Sequence, residues 1–237
     1  MQNLKEDKKM TEIVVAERKS NVLHHPMLPC LSRYHTINLA AGCPHNCRYC
    51  YAQSFRNYPG KGTVLFYANA LEQLRRELAG KRDRVEMVYF STGCEPFMPF
   101  PEILETLYGC MELLLRHGSF LLISTKAAIP EDFLRLFGRF PSQVHVHIGL
   151  TTADDDVRNV LEPQAACVQQ RLTSLRRVLE AGAKGEVRMD PLIPELTDTD
   201  DSFRSLCHSV AGTGCRSAVA SFLFASSKEF VGEFGLG

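Results

Sequence analysis

With 237 residues, 45% of them hydrophobic, the chain is long enough for one sizeable core, and barrels of this length form single domains. Lys and Arg balance Asp and Glu at 27 each, so net charge points to neither a nucleic-acid nor a membrane partner. The charged start MQNLKEDKKM leads into no apolar leader and no run approaches a membrane span, so a cytoplasmic protein is expected, whose nine cysteines are metal ligands, catalytic groups or buried thiols rather than disulfides.

In chain order, residues 1–34 form a polar N-terminal arm and 35–237 the core domain. Strand-like apolar runs occupy 35–40, 85–91, 120–124, 144–150, 185–189 and 218–224. Helical patterns lie between them. Residues 68–80 space Leu71, Leu74 and Leu78 at three and four, and the charges of 75–84 are read as a solvated face. Residues 101–118 open on Pro101 at a first helical position and close on Gly118. Segment 130–140 repeats the Pro-first pattern at Pro130, 168–182 ends on Gly182, and 197–210 offers Asp or Thr as N-cap before Phe203, Leu206 and Val210. Strand–helix alternation with short loops implies right-handed βαβ units and a parallel sheet. Six strands are too few for a closed eight-stranded barrel, so the expected architecture is an open, partial (β/α)6 TIM-like barrel with its last helix apparently truncated. Ligand sites in such sheets lie at the carboxyl ends of the strands.

Immediately after the first expected strand stands GCPHNCRYC, with Cys43, Cys47 and Cys50 on a loop held by Gly42 and Pro44. Three thiolates this close in sequence can converge on one centre, and soft sulfur favours zinc or iron–sulfur. A structural zinc would take His45 or Cys94 as fourth ligand, but no second Cys knuckle accompanies the loop. An iron–sulfur cubane held by three cysteines leaves one iron open to an exogenous ligand.

The C-x3-C-x2-C spacing at this place, with the aromatic Tyr49 just before the third cysteine, closely resembles the radical S-adenosylmethionine (SAM) superfamily. FSTGCEPF, STKA, GLTTADDDVRNVLEP and RMDPLIPEL extend the resemblance over roughly 35–224, to the spore photoproduct lyase-related branch. The resemblance implies a [4Fe–4S] cluster on Cys43, Cys47 and Cys50, with SAM chelating the open iron through its amino and carboxylate groups. One electron then cleaves SAM to methionine and a 5′-deoxyadenosyl radical that abstracts hydrogen from a substrate. The partners implied are a reductant such as flavodoxin or ferredoxin and, from the branch alone, a DNA lesion.

By the same resemblance, Tyr49 lies near the adenine and Tyr51 near the reaction centre as a hydrogen relay. Ser91, Thr92, Gly93 and Glu95 fall where the SAM amino group is bound, Lys126 where its carboxylate is paired, and Thr151 on a branch serine near SAM. Cys94 is a candidate hydrogen donor, although the branch's donor cysteine falls nearer Thr92 in this register. Glu162-Pro163 with Arg171 repeats a branch motif whose role the residues do not supply. Arg188 and Asp190 end the fifth strand as an ionisable pair, either a site or a mutual salt bridge. Cys30, Cys110, Cys167, Cys207 and Cys215 are read as structural. His145 and His147 share one face of a strand, and no metal spacing is read from them. The alternative function is a non-catalytic iron–sulfur or zinc-binding module, a truncated relic whose open last edge would invite aggregation.

Overall fold

The computed structural model describes residues 11–26, 34–81 and 84–224. Cys30 and the segment after 224 lie outside the described residues. The elements are β1 (Glu12–Ala16), β2 (His35–Ile37), β3 (Ala40–Ala41), β4 (Thr63–Tyr67), α1 (Ala70–Gly80), β5 (Met87–Phe90), α2 (Pro101–Arg116) and β6 (Phe120–Thr125). They continue with α3 (Glu131–Arg139), β7 (Val144–Gly149), α4 (Asp155–Leu161), α5 (Val168–Glu180), β8 (Lys184–Leu192), α6 (Asp200–Ala211) and β9 (Ala218–Phe222).

The six expected strands form one sheet, β2-β5-β6-β7-β8-β9, parallel throughout and in chain order. Chain order with intervening helices is the signature of a barrel wall, here left open between β2 and β9. The strands sort their side chains by period two. In β6, Leu121, Ile123 and Thr125 are buried while Leu122 and Ser124 are only partly so. Leu121 and Ile123 belong with the apolar core, which continues into Leu74 of α1, Leu107 and Met111 of α2, Phe133 and Phe137 of α3, Leu175 of α5 and Leu206 of α6. Ser124 lines a polar concave face with Tyr89, His147, Arg188 and Asp190, and Thr125 at the strand end lines it as well. All five expected helices are present. Pro101 sits in the first turn of α2 and Gly118 follows its end at φ +84°; Thr199 caps α6 by accepting from the Ser202 amide at 3.3 Å. Among the described residues no helix is long and apolar enough to cross a membrane.

Three features differ from the expectation. The strand expected at 35–40 breaks after Ile37, and Ala40–Ala41 turns away to pair antiparallel with β4. Within the arm, Glu12–Ala16 forms a strand parallel to β4, giving a second sheet of order β1-β4-β3. EIVVA is β-branched, but its pairing with 63–67 spans about fifty residues, a contact that local pattern does not announce. Finally α4, seven residues long, starts where Asp154 accepts from the amides of Asp156 and Val157 at 2.7 and 3.3 Å; three successive aspartates hid it from a search for apolar periodicity. Under the second sheet, Ala40, Val64, Phe66, Met98 and Ile103 make a small core of their own, which seats the chain that leads into the cysteine loop.

Leu107 is fully buried between α2 and the sheet. Leu107→Ala is expected to lower unfolding free energy by about 3 kcal/mol in a denaturant titration, since transfer and cavity terms add; a loss below about 1 kcal/mol would contradict this packing.

Candidate active site at the cysteine loop

The cysteine loop begins at Gly42, whose φ is +81° and where an added Cβ would stand 2.3 Å from the Thr63 carbonyl and 2.8 Å from Pro59. Only glycine fits. Asn46 also adopts a positive φ, +51°. The loop is tied at both sides: the Arg48 amide donates to Leu161 O at 2.9 Å, the Gln164 amide to His45 O at 3.3 Å, and Gln53 Nε2 to Cys47 O at 3.0 Å. A 3-10 turn, Tyr51–Ser54, closes it. Cys43, Cys47 and Cys50 all line one cavity of about 510 Å³. Three soft thiols lining one cavity are a donor set suited to zinc or to an iron–sulfur cluster. Burial raises the pKa of all three thiols, Cys43 and Cys47 far above that of a free thiol, so they ionise only when a metal displaces their protons.

The opposite wall of the cavity comes from the strand ends. After β5, Ser91 takes φ +68° and the chain turns through Thr92, Gly93, Cys94 and Glu95, all lining residues. Asn38 organises that turn. Its Nδ2 donates to Thr92 Oγ1 at 3.2 Å and its Oδ1 accepts from the Gly93 amide at 2.9 Å, with the Cys94 thiol 3.8 Å away. Thr92 Oγ1 also shares a 3.1 Å hydrogen bond with Thr36. Glu95 is buried and its carboxylate is largely engaged: Oε1 accepts from Thr125 Oγ1 at 2.6 Å and the Phe97 amide at 3.0 Å, and Oε2 from the Lys126 amide at 2.9 Å. His45 Nδ1 stands 3.6 Å from Glu95 Oε2, and burial lowers its pKa despite that carboxylate. Cys94 remains a thiol, pushed up to about 12 chiefly by burial.

Behind the cavity sits Glu162, fully buried. Its Oε1 accepts from Thr151 Oγ1 at 3.3 Å and from the Tyr49 hydroxyl, and faces Lys126 Nζ at 3.3 Å. Its Oε2 lies 2.5 Å from Arg171 Nη2, a contact that is ionic rather than an aligned hydrogen bond. Arg171, itself fully buried, donates to Gly149 O at 2.9 Å and Ala166 O at 2.8 Å. Burial alone would raise the Glu162 pKa; the charges of Lys126 and Arg171 and the hydrogen bond from Tyr49 bring it down to about 2. Lys126 further lies 5.5 Å above the Tyr49 ring centre and 3.4 Å from Asp190 O.

Of the residues marked from sequence, Cys43, Cys47, Cys50, Tyr51, Ser91, Thr92, Gly93, Cys94, Glu95, Lys126, Arg188 and Asp190 thus share the cavity wall. Tyr49 and Thr151 stand behind it on Glu162. Tyr51 is more than half exposed and donates to Thr92 O; Arg188 Nη2 pairs with Asp190 Oδ2 at 2.8 Å. Sequence reading missed Asn38 and the wall positions Tyr89 and Ser124, and placed His147 on a strand face without assigning that face to the cavity. The period-two alternation of their strands was a usable signal for Tyr89 and Ser124.

Glu162→Gln leaves Arg171 buried beside a neutral amide. Loss of one partner from a buried ion pair is expected to cost about 3–5 kcal/mol at pH 7. The folded-state pKa is depressed, so the carboxylate's contribution is complete above the ordinary value of 4.5 and is lost as pH falls toward 2. The difference between wild type and Glu162→Gln in denaturant titrations should therefore narrow below pH 4.5; a pH-independent gap would contradict the ion-pair account.

The family model described as the Radical SAM superfamily matches residues 37–207. An uncharacterised protein of Mycobacterium tuberculosis is 28% identical over 205 residues, covering 83% of this chain and 60% of its own. A radical SAM Nalpha-GlyT isomerase of Pseudomonas phage M6 is 25% identical over 197 residues, covering 82% and 40%. The chain thus spans about three-fifths or less of the length of these relatives. Among solved structures, a spore photoproduct lyase variant with bound AdoMet and dinucleoside spore photoproduct has a TM-score of 0.69 at 18% identity, over 93% of this chain and 65% of that one. A radical SAM methyltransferase from Sphaerobacter thermophilus has a TM-score of 0.53 at 18% identity, over 88% and 63%. Both are likenesses of fold. With the cysteine triad lining its cavity and the family match over most of its length, the chain belongs to the Radical SAM superfamily.

Proposed function

We propose that the chain binds a [4Fe–4S] cluster on Cys43, Cys47 and Cys50 and SAM in the adjoining cavity, and acts as a radical SAM enzyme. The observation that carries this reading is the convergence of three soft thiols and the polar strand ends on one 510 Å³ space. When bound and reduced, the cluster supplies the electron that splits SAM into methionine and a 5′-deoxyadenosyl radical. The residues of this chain bind, orient and shield. Lys126, part-exposed to the cavity and anchored by Glu162, offers a cation for the SAM carboxylate. The turn at Thr92 and Gly93, held by Asn38, offers backbone groups to the amino acid end of SAM. Tyr49 and Thr151 hold the Glu162 carboxylate behind Lys126.

Arg188 and Asp190 form a charged pair on the concave face, suited to a polar substrate. Tyr51 and Cys94 both border the same space; each retains its hydrogen at neutral pH, which is the form that can return a hydrogen atom to a product radical. A lesion in DNA is the substrate class suggested by the likeness to spore photoproduct lyase, a warrant of fold alone. Flavodoxin or ferredoxin would serve as the one-electron donor.

The test is anaerobic reconstitution with iron and sulfide, reduction with dithionite, addition of SAM, and chromatography for 5′-deoxyadenosine. Product is expected with the intact chain and at background with a Cys43/Cys47/Cys50→Ala triple variant. A cluster that forms while SAM survives would instead identify a binding module, and zinc retained without any cluster would overturn the reading.

A further inference from the structure

On the concave face, His145 and His147 of β7 lie two residues apart, and His147 is in register with Glu186 of β8. Their rings stand perpendicular with centroids 4.5 Å apart. His147 Nε2 faces Glu186 Oε1 at 3.5 Å. Each of the three residues brings a ligand atom to within 4.8 Å of the others, and among the described residues they are the one such trio of His, Cys, Asp or Glu. His147 and Glu186 are buried. Two imidazole nitrogens, His145 Nε2 and His147 Nδ1, are shut off from solvent without a hydrogen-bond partner. An unsatisfied buried polar atom costs about 1–3 kcal/mol, and of these two His145 Nε2 is the one that an ion held beside His147 Nε2 and Glu186 Oε1 would satisfy.

We propose that His145, His147 and Glu186 form a binding site for a divalent first-row transition-metal ion, built across β7 and β8 and independent of the cysteine loop. Two imidazoles and a carboxylate are a borderline nitrogen–oxygen donor set, which suits zinc, iron(II) or cobalt(II) and not calcium or magnesium. Metal–ligand bonds of about 2.0–2.2 Å place neighbouring donors roughly 3.3–3.5 Å apart; the His147–Glu186 pair already stands at 3.5 Å, and His145 brings its ligand atom to within 4.8 Å of both. The supporting shell is in place. Glu186 Oε2 accepts from Ser217 Oγ at 2.5 Å, which fixes the carboxylate and aims its other oxygen at His147. Tyr89 packs edge-on against the His147 ring, centroids 6.5 Å apart, and is itself held by Ser124 at 2.7 Å. The nearest cations do not forbid an ion: Arg188 is neutralised by Asp190 at 2.8 Å, and Lys184 is exposed on the strand. Three protein ligands leave a coordination position for water or for a donor atom from the cavity, whose wall includes His147. Binding needs no proton transfer, because the imidazoles coordinate as neutral bases and the carboxylate as an anion.

The thiols would compete for added metal, so the test uses the Cys43/Cys47/Cys50→Ala chain titrated with cobalt(II). Stoichiometric binding is expected, with visible d–d bands and no thiolate-to-cobalt charge-transfer band. Adding H145A, H147A or E186Q should each weaken binding at least tenfold. A chain that takes up no cobalt, or whose uptake survives all three substitutions, overturns the proposal. Should the triple variant fail to melt cooperatively, the cluster-loaded wild type decides: zinc added to it should raise Tm, and the same addition to cluster-loaded H147A should not. Equal shifts, or none, overturn the proposal as well.

Discussion

The active face depends on one buried carboxylate. Glu162 has no access to water, and an isolated carboxylate in that position would cost several kcal/mol. It is tolerable only because four elements deliver partners to it: the cysteine loop through Tyr49, the end of β6 through Lys126, the segment after β7 through Thr151, and α5 through Arg171. Moving any of them strands a charge or a hydroxyl. The same stretch of chain grips the loop by its backbone, since Leu161 O and the Gln164 amide bond to Arg48 and His45. Three flexible thiols are thereby carried on a loop whose position is set by the sheet, which is what a ligand triad requires for preorganisation.

Glu95 repeats the device on the other wall. Its oxygens collect Thr125, Phe97 and Lys126, so the turn after β5 is locked to the end of β6, and Asn38 locks the same turn to the end of β2. The two carboxylates divide the labour between them. One ties cysteine loop to helix layer and the other ties strand end to strand end. The space they leave is polar on the strand side and sulfur-lined on the loop side.

Much of this was legible in the sequence. Six apolar runs and five periodic helices were visible because period two and period 3.6 are local properties, and Cys43, Cys47 and Cys50 because the three thiols sit close together in sequence. What escaped needed pairing at a distance. The β1–β4 strands meet only through a long-range register, and Asn38 is an ordinary polar residue until the turn at Thr92 folds onto it. Glu162 and Arg171 stood out as a motif without a role, since a hub of four partners cannot be inferred from two of them. His145 and His147 could be placed on one face, but Glu186 joins them only through the β7–β8 register. Thr92 and Glu95 were found by position, yet their hydroxyl and carboxylate serve mainly the protein's own scaffold, a distinction that spacing does not carry.

The central claim is that the loop holds a cluster with one metal position open to the cavity. Electron paramagnetic resonance of the reconstituted, dithionite-reduced protein tests it without knowledge of the substrate. Addition of SAM is predicted to shift the g values of the reduced cluster, because a cluster on three cysteines would leave one iron free to be liganded by SAM. A cluster spectrum that SAM leaves unchanged would contradict the account.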